Sequence, residues 1–156
     1  MNATQVSRPD ESRRTTRTVR PMIDLKRIEL APVDYWYDLD YLEVRRLVDT
    51  MSADEWRALE DVVPTQGSLV QERIAYVLND VEHPPGVRIL LRMCASADRD
   101  AALAARESLR QLPPALVHET AEELFPRGTP LHAAIAASRS TNAILDLPEF
   151  RSPPSP

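Results

Sequence analysis

The chain has 156 residues, of which 43% are hydrophobic and 28% charged, a balance that fits one globular domain with a real core. No apolar run approaches the ~20 residues a membrane helix needs, the N-terminus lacks the apolar stretch of a secretory signal, and Cys94 is the only cysteine, which excludes an internal disulfide framework. Net charge is −5 but unevenly spread: residues 1–20 carry +3, through Arg8, Arg13, Arg14, Arg17 and Arg20 against Asp10 and Glu11, while residues 21–80 carry −7. An acidic N-terminal half argues against nucleic acid as the ligand there, because phosphate neutralisation needs a basic surface. A cytoplasmic protein is expected.

Taken in chain order, residues 1–20 are polar, arginine-rich and aperiodic, a composition expected to be disordered. Residues 21–39 read as a linker or arm; the apolar residues of 22–30 fit either a short helix or an extended strap, fenced by Pro21 and Pro32. A helical domain is expected over residues 40–147. Asp40 is a candidate cap for a helix reaching Met51. Ser52 with Glu55, and Ser68 with Gln71, each have the spacing of a capping box. Pro64 ends the first of those helices, and the second should reach about Val81. Pro84 and Pro85 suit the opening turn of the next. Asp98 is placed to cap another helix, ended by Pro113, and Pro114 opens its successor, which runs to Phe125. Thr129 and Pro130 open a last helix that breaks near Ser140. Residues 148–156 read as a flexible tail.

The openings at Asp40, Ser68, Asp98 and Thr129 are spaced by 28, 30 and 31 residues, a period of repeated helical hairpins. Val70, Ile74, Leu78 and Val81 line one helical face, and Ala101, Ala105, Leu109 and Leu112 repeat the same spacing 31 residues later. The predicted fold is therefore all-α, a stack of seven or eight helices as hairpins or as an irregular bundle. Within residues 70–125 the pattern Val70-x-x-Arg73-Ile74-x-x-x-Leu78, then Pro85-x-Val87-x-x-Leu90-Leu91, then a second unit led by Asp98, resembles short HEAT-like repeats. The second unit has Ala104 where the first has Arg73. That resemblance implies a scaffold or protein-binding module. Thr129-Pro130-Leu131-His132 looks like an ankyrin opening, but nothing upstream repeats it, and a threonine cap followed by proline explains it.

Candidate chemistry is sparse. His118 and Glu122 share a helix face at i, i+4 with Glu119 between them, the first half of a metal-ligand spacing. The second histidine of the zinc motif is absent, and His132 is a remote third donor. A solvated acidic face is the simpler reading, so no metal and no cofactor are expected, and a metal-dependent enzyme using His118 and Glu122 is the alternative. The three glycines are scattered, so no phosphate-cradling loop forms. The densest feature is residues 34–41: Asp34, Tyr35, Trp36, Tyr37, Asp38, Asp40 and Tyr41 bring four of the eight aromatics together with three aspartates. Tyrosine and tryptophan anchor interfaces, and interleaved aspartates complement a basic partner. The expected function is a non-enzymatic protein–protein interaction module, with an immunity-type inhibitor of a toxin as one version. A secreted bacterial effector or adaptor is another. Trp36 and Tyr41 capping the end of the stack is the competing structural role.

Overall fold

The computed structural model describes residues 23–151. The expectation of disorder for residues 1–20, and the end of the expected tail, lie outside the described residues.

Every regular element among the described residues is helical. Helix α1 (Leu25–Leu30) opens at Asp24, whose carboxylate accepts the backbone N–H groups of Lys26 and Arg27. After Pro32, α2 (Val33–Tyr35) runs without a break through a π-helical turn (Trp36–Asp40) into α3 (Tyr41–Asp49). In that turn the Tyr41 N–H donates to the Trp36 carbonyl, one residue further back than in an α-helix. The expectations for this region are corrected accordingly. Of the two readings of residues 22–30 the short helix is the one found, as α1, and the described part of residues 21–39 packs on the domain rather than linking to it, with Ile23, Ile28 and Trp36 buried in the core. Asp40 caps nothing, because the chain is already helical there and its carboxylate is taken by Arg27.

Helix α4 (Ala53–Val62) has the expected capping box. The Glu55 N–H donates to Ser52 Oγ at 3.3 Å, and the Ser52 N–H donates to Glu55 Oε2 at 2.8 Å. A 3-10 turn (Val63–Thr65) absorbs Pro64. Helix α5 (Ser68–Val77) opens one residue earlier than expected. Gly67 is its N-cap, and the Gln71 amide donates to the Gln66 carbonyl at 2.7 Å, so Ser68 and Gln71 form no capping box. The Ser68 hydroxyl bridges instead to Glu72 at 2.9 Å and to Asp98 at 2.8 Å. Helices α6 (Pro84–Cys94) and α8 (Pro114–Leu124) open on proline, and α7 (Arg99–Gln111) on the Asp98 cap. Helices α9 (Pro130–Ala137) and α10 (Thr141–Leu145) open on Thr129 and Ser140. Gly128, at φ +85°, makes the turn before α9 that a side chain would strain. A last 3-10 turn (Pro148–Phe150) buries Phe150 edge-on against Phe125 at 5.6 Å. The tail expected from residue 148 is thus packed as far as Phe150.

The helices pack in two rows. In one, α5 lies between α3 and α7, and α7 packs on α10; in the other, α4 packs on α6 and α6 on α8. The rows meet where α6 crosses α7, and α1 covers α5. The two periodic faces supply the seam: Val70, Ile74, Leu78 and Val81, and Ala101, Ala105, Leu109 and Leu112, are all buried. Burying each leucine contributes about 1.5–3 kcal/mol. Polar ties fix the register. The Ser108 hydroxyl donates to the Ala75 carbonyl at 2.8 Å, and the buried Glu60 of α4 accepts Arg88 of α6 at 2.6 Å. Ten α-helical segments occur among the described residues, more than the seven or eight expected, because the chain before Asp40, where none was counted, contributes α1 and α2.

Candidate partner-binding surface

The π-helical turn sorts the aromatic segment into an inward and an outward set. Trp36 is fully buried at 0% exposure, and the guanidinium of the equally buried Arg73 lies 5.2 Å from its ring centroid. Arg73 also donates to the Ile28 carbonyl, so one α5 arginine ties α1 to the turn. Desolvated cation–π contacts of this kind contribute ~2 kcal/mol. Among the described residues the indole Nε1–H finds no acceptor, an omission that costs roughly 1–3 kcal/mol and is outweighed by burial of the ring. Trp36, expected as a partner anchor, is therefore a core residue with no exposed surface to offer a partner.

The tyrosines and aspartates of the segment are more accessible than Trp36. Tyr35 and Tyr37 are 60% and 48% exposed, Asp34 and Asp38 are exposed, and Asp40 and Tyr41 are half-buried. Tyr37 and Tyr41 both pack edge-on against Tyr76 of α5, each with ring centroids 5.1 Å apart. Such edge-to-face pairs add about 0.5–1.5 kcal/mol each and hold the rings in place. Tyr76 was missing from the expected surface. The signal for it was an aromatic lying off the Val70, Ile74, Leu78 stripe of its helix. Of the eight large apolar side chains exposed among the described residues, Leu30, Val33, Tyr35, Tyr37 and Leu42 fall within thirteen residues of chain, and Tyr76 joins them through the tyrosine contacts.

Beside this row lies a cleft of about 160 Å³ between α1 and α3, floored by Ile28, Trp36 and Val44 and rimmed by Asp24, Asp40 and Glu43. Arg27 spans the rim, donating to Asp40 at 3.0 Å and Glu43 at 2.7 Å. Hydrogen bonding to Glu43 first, then to Asp40, raises the Arg27 pKa. Arg27 and Glu43 are solvent-exposed and Asp40 is half-buried, so these pairs contribute little to stability. Arg45, on α3 with Glu43, bonds Asp80 at 2.7 Å and also Asp49.

His118 lines a cavity of about 250 Å³ with Pro114, Ala115, Ser138, Arg139 and Ser140, and neither Glu122 nor His132 lines it. Among the described residues no group of three or more His, Cys, Asp or Glu side chains is placed to hold a metal ion. Cys94 is buried, and desolvation pushes its thiol up to about 12, far from a nucleophile's range. No helix among the described residues is long and apolar enough to cross a membrane.

No family model matches the chain, and neither the curated proteins nor the solved structures include a match to it.

Proposed function

We propose that the chain is a protein–protein interaction module that binds a basic partner through the tyrosine-bearing acidic face of α2, the π-helical turn, α3 and α5. The observation that carries this reading is the aromatic row of exposed Tyr35, Tyr37 and Tyr76, joined by half-buried Tyr41, beside Asp34 and Asp38. Exposed, pre-oriented tyrosines supply large contact area with little entropy left to lose. Free aspartates at the rim steer a cationic partner and speed encounter. Packing in two helical rows supports short HEAT-like hairpins as the scaffold. Among binding modules, small size and acidity favour an immunity-type protein that acts in the cytoplasm by occupying a toxin's basic surface.

Affinity capture on the full chain, with identification of the retained protein, tests the reading. The expected result is a basic protein held by the wild-type chain and lost from a Tyr37→Ala, Asp38→Asn double variant. A protein retained equally by both chains would place the interface elsewhere.

A further inference from the structure

The C-terminal end of this acidic chain has the opposite charge. Residues 124–145 are its longest stretch without an aspartate or glutamate, and they hold Arg127, His132 and Arg139. Helix α10 packs on α8 there, and beside them lies the cavity of about 250 Å³ lined by His118, Arg139 and Ser140. A single water needs only ~10–15 Å³ of such space, so a phosphate group and part of a molecule carrying it have room. No acid lines the cavity, although Glu119, Glu122 and Glu123 stand on the same helix as His118. Every ion pair beyond residue 100 among the described residues uses Arg106 or Arg110, which leaves the exposed Arg139 guanidinium unpaired there. The half-buried His118 ring has an N–H to donate in either charge state. Helix α8, 11 residues long, opens on Pro113 and Pro114 with no side-chain cap, so the Ala115 and Leu116 N–H groups stay bare at its positive end. The Ser138 hydroxyl is spent on the Ala134 carbonyl at 2.8 Å, whereas Ser140 accepts the Ala143 N–H at 3.1 Å and keeps its own proton to donate. The next residue, Thr141, is 7% exposed and its Oγ1 has no partner among the described residues. A buried hydroxyl left unanswered next in chain to the cavity wall is a feature that an occupant explains.

We propose that the cavity beside α8 and α10 binds a phosphate group, as the free ion or as the phosphate of a small molecule. Arg139 supplies the positive charge, the bare N–H groups at the start of α8 take one side of the anion, and the Ser140 hydroxyl and the His118 ring take the others. A carboxylate has two oxygens in one plane. Donors drawn from a helix start, a loop and a ring one turn along the helix suit the three or more tetrahedral oxygens of a phosphate. The site shares no residue with the tyrosine-bearing face, so it goes beyond the partner-binding reading and does not depend on it.

The test follows ¹H–¹⁵N spectra of the full chain during titration with inorganic phosphate, ribose 5-phosphate or acetate to ~50 mM, with ionic strength held constant by sodium chloride so that screening does not change. Binding predicts saturable shifts of the Ala115, Leu116, His118, Ser140 and Thr141 amides with either phosphate probe, while Tyr37 and Tyr76 stay fixed. Tighter binding of the sugar phosphate would name a small organic phosphate as the source, and equal binding the free ion. Arg139→Gln, at an exposed position, should weaken binding about ten-fold, the loss of one charge-assisted contact, and Arg139→Lys should restore part of it. His118→Gln, which keeps a donor but not the ring, should weaken binding less. Absence of saturable shifts with both phosphate probes would overturn the proposal. So would equal affinity in Arg139→Gln, or acetate bound as tightly as phosphate. Tyr37→Ala should bind phosphate like wild type, so failure here leaves the partner-binding reading to its own test.

Discussion

Replacing Trp36 by alanine tests the division of the aromatic segment into a buried and a displayed set. Truncating a buried tryptophan typically costs about 3–5 kcal/mol. Here the loss includes the Arg73 cation–π contact, because the guanidinium 5.2 Å from the ring centroid is left facing a cavity. It is partly offset by removal of an indole N–H that finds no acceptor among the described residues. With a urea slope of ~2 kcal/mol/M, a net loss of ~4 kcal/mol lowers the unfolding midpoint by ~2 M. Trp36→Phe keeps most of the apolar contact and sheds the orphan donor, so its cost should stay below ~2 kcal/mol. Tyr37→Ala removes one edge-on ring contact at the surface and should cost about 1 kcal/mol. Urea titrations followed by circular dichroism read all three. A Trp36→Ala midpoint equal to wild type would refute the buried placement. A Trp36→Phe loss as large as that of alanine would show that the indole N–H has a partner after all.

Other outcomes follow from the same packing. Leu78→Ala and Leu109→Ala, each at a buried position of a matching face, should cost roughly 2–5 kcal/mol by denaturant titration; wild-type midpoints in both would mean the periodic faces are misassigned. Asp98 is held below its usual pKa by the Ala101 N–H and the Ser68 hydroxyl, and Glu55 by the Ser52 N–H and hydroxyl. A depressed folded-state pKa means stability that is complete above the unfolded carboxylate range of about 4 and is lost as pH falls through the folded values. Melting temperature should therefore drop below pH ~4, and by less in Asp98→Asn; an unchanged acid profile in that variant would remove Asp98 from the account. Cys94, with its thiol pushed up to about 12 by burial, should react with a thiol reagent only at the rate of unfolding, and immediate native-state labelling would place it at the surface.

Much of the helical frame is readable from local chemistry. Ser52 with Glu55, the Asp98 and Thr129 caps, and the prolines at 84, 114 and 130 each act on backbone groups within four residues, so sequence spacing suffices to place them. Leu78 and Leu109 are buried where the 3.6-residue period puts them. The beginning of the domain is less legible, because its conformation is decided by distant residues. Asp40 has the residue type of a helix cap, but the chain upstream is drawn into the helix once Trp36 packs beneath Arg73 of α5. Ser68 with Gln71 fits a capping box as well, yet Gly67 supplies the extended cap and Ser68 is committed to Asp98, 30 residues away. The candidate surface was visible as a composition, four aromatics among three aspartates. Trp36 and Tyr41 are the two for which a structural role competes, and the structure buries Trp36 fully and Tyr41 by half; the π-helical turn that divides them is not readable from spacing, since one extra residue in a helical turn rotates all that follow. Tyr76 entered only through tertiary contact with Tyr37 and Tyr41.

The central claim, that the tyrosine-bearing acidic face receives a basic partner, is tested most directly by association and dissociation rates. The measurement uses the captured partner with the wild-type chain, Tyr37→Ala and Asp38→Asn at two salt concentrations, after circular dichroism confirms each fold. The account predicts that association slows with added salt and in Asp38→Asn, because both weaken steering across a screening length of about 8 Å at physiological ionic strength. It predicts that Tyr37→Ala acts on dissociation, with a loss of ~2 kcal/mol, roughly a thirty-fold weaker complex. Salt-independent association together with unchanged affinity in both variants would contradict it.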